Sequence, residues 1–231
     1  MDDSVSWITE RIEAGRFTQH VVVNVAKIVN MQSDENLANS VRACDIVNID
    51  GMGVVWGARF LGLRVPERVA GVDLFERLLQ MAETHEFPVF FLGATSEVVE
   101  EAARQCCHRY RNLKLAGLHH GYFGNDEAQV VEKIRKSGAR LLFVAISSPK
   151  KEVFINRWKD KLGVDFVMGV GGTFDVVAGR VSRAPIWMQK AGLEWLYRVF
   201  QEPGRMWRRY LVTNSRFAIM LAHAYIRRYW A

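Results

Sequence analysis

Short apolar runs rich in β-branched residues alternate along the chain with longer stretches whose apolar residues recur every three or four positions. The runs predict strands at 20–25 (HVVVNV), 45–50 (DIVNID), 88–93 (PVFFLG), 113–117 (LKLAG), 140–146 (RLLFVAI) and 165–170 (DFVMGV). The periodic stretches predict helices that include 72–85, 96–110 and 125–138. Ser96 and Asp126 stand where helix N-caps belong, and Gly138 where a C-cap belongs. Strands alternating with helices of this length imply βαβ units and a mostly parallel sheet. Strands that are apolar almost throughout imply a sheet covered on both faces.

In such a sheet, ligands bind beyond the carboxyl ends of the strands, and the polar interruptions fall there. Asn24 ends the first strand and Asp50 the second. The Gly93-Ala94-Thr95 turn follows the third, SSPKKE (147–152) the fifth, and GVGGTFD (169–175) straddles the end of the sixth. Five strand ends are thus expected on one rim.

Composition narrows the class. A chain of 231 residues, 49% hydrophobic and 24% charged, has ample core for one globular domain, or one domain with an appendage. There is no repeat, no Pro- or Ser-rich linker, no signal-peptide pattern and no apolar run long enough to span a bilayer. Cys44, Cys106 and Cys107 show no CxxC spacing and read as reduced thiols of a cytoplasmic protein. The net charge of +6 is concentrated at the end: residues 201–231 hold six arginines against the single acid Glu202, while the first 200 residues are nearly neutral. Such a tail points to an anionic partner: phosphate, nucleic acid or lipid headgroups. Its arginines alternate with Trp207, Tyr210, Phe217, Tyr225, Tyr229 and Trp230, which suits a membrane interface. It also suits nucleic acid, or a C-terminal helix packed on a core with an ordinary solvated face.

Asp50, followed by Gly51 and Gly53, reads either as a turn aspartate or as a general base on a cleft floor. In the second reading apolar surroundings raise the proton affinity of the carboxylate, and the glycines let a substrate reach the backbone. Gly171, Gly172 and Thr173 open a helix whose N–H groups can cradle a phosphate, although Phe174 breaks the G-x-G-x-x-G fingerprint. Asp175 bonds a ribose hydroxyl or caps that helix. Arg68, in PERVAG (66–71), is a solvated arginine or a pyrophosphate clamp. Lys150 and Lys151, with Glu152, begin a helix where cations oppose the dipole, which hints at a nearby anion. The histidines (20, 85, 108, 119, 120 and 223) form no HxxxH or HxH pattern with nearby acids, and no Asp-x-Asp is present. A metal-free enzyme must then hold a leaving diphosphate with cations and backbone amides.

Taken in order, NVAKIV, DGMGVVW, RVAGVDL, FLG, HGYF, SSPKKE, GVGGTFDVVAGRVSRAP and GLEWLYRVFQEPGR resemble the WecG/TagA/CpsF glycosyltransferases (glycosyltransferase family 26) from about residue 20 to 210. The resemblance implies a Rossmann-like α/β fold: a mostly parallel sheet flanked by helices in residues 1–200, and a basic, aromatic helical appendage in 201–231 that closes the site and touches the membrane. It implies an inverting, metal-independent transferase without a cofactor. The sugar (N-acetylmannosamine, its uronic acid, or glucose) would pass from a UDP-sugar to a sugar on undecaprenyl pyrophosphate. The work would be done at the cytoplasmic face of the cell membrane, in teichoic acid, enterobacterial common antigen or exopolysaccharide synthesis. The family's catalytic aspartate falls on Asp50, its strand-end asparagine on Asn24 and its Arg-Val-Ala-Gly arginine on Arg68. The appendage arginines fall on Arg198, Arg205 and Arg208. Gly51, Gly93, Lys151, Glu152, Gly171, Gly172, Thr173 and Asp175 complete the expected substrate contacts.

Two positions depart from the family pattern. Val22 stands where the family often has threonine, and Lys151 where it has glutamine. The lysine adds a charge where donor or acceptor should sit. A nicotinamide-dependent oxidoreductase and a non-catalytic nucleic-acid binder are the rival classes. The imperfect glycine fingerprint argues against the first, and the neutral body, without a nucleic-acid-reading motif, against the second. Apolar residues in the tail would also serve a second copy of the chain.

Overall fold

The computed structural model describes residues 1–65 and 67–229, except the side chains of Arg205 and Tyr229. Pro66, Trp230 and those two side chains, all drawn on above, lie outside the described residues. In chain order the elements are α1 (Asp2–Glu13), β1 (Thr18–Val23), α2 (Val25–Asn30), α3 (Glu35–Arg42), β2 (Ile46–Ile49), α4 (Met52–Phe60), α5 (Gly71–Thr84), β3 (Val89–Gly93) and α6 (Ser96–Arg109). They continue with β4 (Leu115–His119), α7 (Glu127–Lys136), β5 (Leu141–Ala145), α8 (Lys150–Trp158), β6 (Phe166–Gly169), α9 (Thr173–Val177), α10 (Ile186–Lys190), α11 (Glu194–Gln201) and α12 (Pro203–Tyr229).

All six expected strands form, in one sheet of order β2-β1-β6-β5-β3-β4. The pairs β1/β6, β6/β5, β5/β3 and β3/β4 are parallel. This is the α/β, Rossmann-like architecture expected, with helices flanking a parallel sheet and a long C-terminal helix. Contacts divide the chain into two compact units. The first is Met1–Val21, Asn39–Val47 and Gly71–Ser182; the second is Val22–Ala38, Asn48–Ala70 and Arg183–Ala231.

The first unit shows why its strands read as continuous apolar runs. Along β3 and β5, Phe90, Leu92, Leu142 and Val144 pack against Val130, Val131 and Ile134 of α7 and Phe154 and Ile155 of α8. The alternate residues Phe91 and Phe143 face the other way and form an aromatic cluster with Phe75 of α5 and Phe174 of α9. A period of two with both faces covered leaves no polar position in either strand. Gly93 ends β3 at φ +130°, and a Cβ there would lie 2.4 Å from the Ala145 carbonyl oxygen, so only glycine fits.

The N-cap of α7 falls where expected, and the other two predicted caps shift by one residue. Thr95, not Ser96, caps α6, its hydroxyl oxygen accepting from the Val98 N–H at 3.4 Å. Asp126 occupies the α7 N-cap position without a side-chain cap bond. Gly138 lies one residue past the C-cap Ser137, at φ +69°, in the left-handed conformation that ends helices.

In the second unit α12 packs against α2 and α11. Gly57 of α4 admits it closely: a Cβ there would lie 2.9 Å from Phe217 Cζ and 3.1 Å from Leu221 Cδ1. Among the described residues no helix is long and apolar enough to cross a membrane.

Candidate active site

The second unit gathers the residues that the sequence singled out at the first two strand ends. β1 stops at Val23 because Asn24 caps α2, its Oδ1 accepting from the Lys27 N–H at 2.9 Å. Capping occupies Oδ1, so Nδ2 is the group with which Asn24 can donate to a substrate. Asp50 is anchored beside it by its own N–H, which donates to the Val23 carbonyl at 2.8 Å. Gly51 follows at φ +107°, a conformation that side chains resist, and turns the chain into α4. The Val69 N–H donates to Ile49 at 2.9 Å, which lays the neighbouring Arg68 alongside the end of β2.

The surroundings of Asp50 are ionic, not the apolar pocket the sequence suggested. Asp50 Oδ1 lies 3.5 Å from Arg68 Nη2, and the Asp50 side chain is 32% exposed. The same Nη2 makes a shorter contact with Glu194 Oε2, and Nη1 donates to the Gln189 carbonyl at 3.4 Å. Arg68 therefore joins two carboxylates with one guanidinium.

Tyr210 of α12 stands in the same field. Burial pushes its phenol pKa up; the Arg198 and Arg209 charges oppose that, and the Glu194 and Asp50 carboxylates reinforce it. Its ring lies 5.7 Å from that of Trp195. Lys27 is buried, with Nζ donating to the Val22 carbonyl at 2.7 Å. Arg198 and Arg208 are exposed, and the Arg205 side chain lies outside the described residues.

The remaining expected residues belong to the first unit. Lys151 and Glu152 are buried together, Nζ to Oε1 at 2.9 Å, with side chains only 9% and 3% exposed. Gly169 makes this possible: a Cβ there would stand 2.8 Å from Lys151 Cε and 2.9 Å from Cδ. The charge that departs from the family pattern thus has an opposite charge inside the protein. The Thr173 hydroxyl donates to the Val170 carbonyl at 2.8 Å. Gly172 is the N-cap of α9, Gly171 precedes it at φ +56°, and Asp175 lies in the first turn without being the cap.

From the sequence, Glu194, Gln189 and Lys27 have no role, and Tyr210 reads only as one of the tail aromatics suited to a membrane interface. Glu194 stood inside a quoted block, GLEWLYR, but a carboxylate that starts a helix has an ordinary explanation in the helix dipole. No local pattern links it to Arg68, 126 residues earlier. Among the described residues no group of three or more His, Cys, Asp or Glu is placed to hold a metal ion. The three cysteines are free thiols.

Comparison with known sequences identifies the family. The profile of the glycosyl transferase WecG/TagA/CpsF family matches residues 1–231. The chain belongs to that family and is a glycosyltransferase, as its motifs led us to expect. A Bacillus spizizenii protein named N-acetylglucosaminyldiphosphoundecaprenol N-acetyl-beta-D-mannosaminyltransferase is 35% identical over 181 residues, which is 78% of this chain and 70% of that protein. A Bacillus subtilis protein of the same name is 36% identical over 162 residues, 70% of this chain. That match spans 62% of the B. subtilis protein, less than two thirds of its length.

Proposed function

We propose that this protein transfers an N-acetylmannosaminyl group, or a closely related sugar, from a UDP-sugar to a sugar carried on a diphospholipid of the undecaprenyl type. The names of the relatives support the acceptor class and the transferred group. The observation that carries the reading is Asp50, fixed by its backbone at the end of β2 with Arg68 beside it.

In this mechanism Asp50 takes the proton from the acceptor hydroxyl as that oxygen attacks the anomeric carbon of the donor. The bond from the anomeric carbon to the diphosphate breaks, its electron pair leaves on the phosphate oxygen, and UDP departs. Attack opposite the leaving group inverts the anomeric centre. Asn24 Nδ2 orients substrate. Arg198, Arg205 and Arg208 offset the charge developing on the diphosphate, the task a metal performs in other transferases. Gly51, Gly93, Gly171, Gly172, Thr173, Asp175 and the Lys151–Glu152 pair are the proposed contributors to donor binding. The arginine-rich α12 rests on an anionic membrane surface, where the lipid acceptor resides.

The test is UDP release from a panel of UDP-sugars, with a short-chain lipid-diphosphate N-acetylglucosamine acceptor and added chelator. The reading predicts acceptor-dependent release from one donor, unaffected by chelator. Release that is independent of the acceptor, or abolished by chelator, contradicts it.

A further inference from the structure

Two carboxylates compete for Arg68, and the competition is unequal. Nη2 makes its shorter contact with Glu194, and the Asp50 contact is a looser 3.5 Å. The guanidinium is held on a further side by the Gln189 carbonyl, and its side chain is only 16% exposed. An arginine left to a single carboxylate closes on it through two parallel N–H···O bonds. Such a pair occupies both oxygens of the acid and weakens it as a base.

We infer that Glu194 is a positioning residue that draws Arg68 off Asp50 and so keeps the Asp50 carboxylate out of a bidentate ion pair. The inference rests on the reading of Asp50 as the base of the transfer. Glu194 touches no reacting atom; it acts through Arg68. Its own carboxylate adds to the effect, because a nearby negative charge raises the proton affinity of Asp50. The charged and titratable groups described around this site include Arg68, ahead of α5, Glu194 on α11 and Tyr210 on α12, with Arg198 and Arg209 acting on Tyr210. Glu194 is the carboxylate besides Asp50 that bonds Arg68 and opposes its charge, so neutralising Glu194 changes both influences in one direction.

Glu194→Gln keeps the shape of the side chain and removes its charge. Arg68 then closes on Asp50, and the carboxylate holds its proton less tightly. The expected result is an acid limb of the kcat/KM profile that moves to lower pH by about half a unit or more. At neutral pH kcat falls about tenfold, between the small loss from a weaker base and the hundredfold loss from a misplaced one. KM for the UDP-sugar stays within about twofold, since the donor is not what Glu194 holds. Glu194→Asp, which keeps the charge on a shorter side chain, restores most of kcat and leaves only a small shift of the limb. Thermal melting accompanies each assay. If Glu194→Gln does not fold, Glu194→Asp carries the test through a smaller shift of the limb in the same direction, caused by its shorter reach.

An unmoved acid limb overturns the inference, whether or not kcat falls, because a structural defect lowers kcat without changing the titration of the base. Asp50→Asn separates the two levels. If that variant is inactive while the Glu194→Gln limb is unmoved, only the role of Glu194 falls. If Asp50→Asn turns over normally, the base assignment falls and this inference with it.

Discussion

Replacing Lys151 by methionine tests whether its charge serves the fold. Methionine keeps the long apolar stem that lies over Gly169 and removes only the ammonium. Glu152, 3% exposed, then loses the ammonium that lies 2.9 Å from its Oε1. Removing one partner of a buried pair costs about 3–5 kcal/mol. Proton uptake limits the loss: neutralising a carboxyl with an ordinary pKa of about 4.3 costs about 3.7 kcal/mol at pH 7 and about 1 kcal/mol at pH 5. The sign follows from burial, which raises the carboxyl pKa of the folded variant above the unfolded value. The penalty is therefore full well above pH 4.3 and fades as pH falls towards it. Urea unfolding of wild type and Lys151→Met should show a gap of about 3–4 kcal/mol at pH 7 that narrows to about 1 kcal/mol at pH 5. A gap below about 1 kcal/mol at both pH values would refute the buried pair as an element of stability. Lys151 would then serve donor binding alone, to be checked by UDP titration of the variant.

The packing of α12 predicts that Gly57→Val, forced against Phe217 and Leu221, costs about 1–3 kcal/mol and raises hydrogen exchange along the middle of α12. Unchanged exchange there would show that α12 does not depend on this contact. Cys106 is buried, and its thiol is pushed up to about 12 by that burial, so iodoacetamide at pH 8 should leave it unmodified in the folded protein. Mass spectrometry that finds Cys106 alkylated as fast as in urea would contradict this. Replacing the exposed Arg208, Arg209 and Arg216 by glutamine should weaken binding to anionic liposomes roughly a hundredfold, from about 1 kcal/mol per charge. Sedimentation equal to wild type would remove the tail from membrane contact.

What the sequence made legible was what repeats locally. β3 and β5 are buried on both faces, so their apolar runs stood out, and both were placed within a residue of their ends. β2 was also found, though half-exposed, because Ile46, Val47 and Ile49 still form a β-branched run. β4 was displaced by two residues: Leu113 is buried like a strand residue, yet pairing with β3 begins at Leu115, where the register shifts between Val89 and Phe90. β1 was extended past its end because Val25 continues the apolar run, while the Asn24 side chain already caps α2.

The candidate site was legible to the same degree. Asn24 and Asp50 each interrupt an apolar run at a strand end, and Arg68 stands in the segment that precedes α5; a single-residue anomaly is visible in sequence. Glu194 and Tyr210 are not anomalies. Each is an ordinary residue of an amphipathic helix; Glu194 matters through Arg68, 126 positions earlier, and Tyr210 through the charges around it and the Trp195 ring. Lys151 shows the converse. Its charge in a first helical turn is unusual and reads as a hint of a nearby anion, with Glu152 compensating in part; in the structure Lys151 Nζ lies 2.9 Å from Glu152 Oε1.

The central claim is that Asp50 removes the acceptor proton, and single-turnover transfer by Asp50→Asn tests it most directly. Enzyme in excess over donor, with lipid-diphosphate N-acetylglucosamine as acceptor, isolates the chemical step from product release. The account predicts a rate at least ~100-fold below wild type, with an unchanged melting temperature and unchanged UDP affinity. A single-turnover rate within a fewfold of wild type would contradict it, and the proton would have to leave by another group.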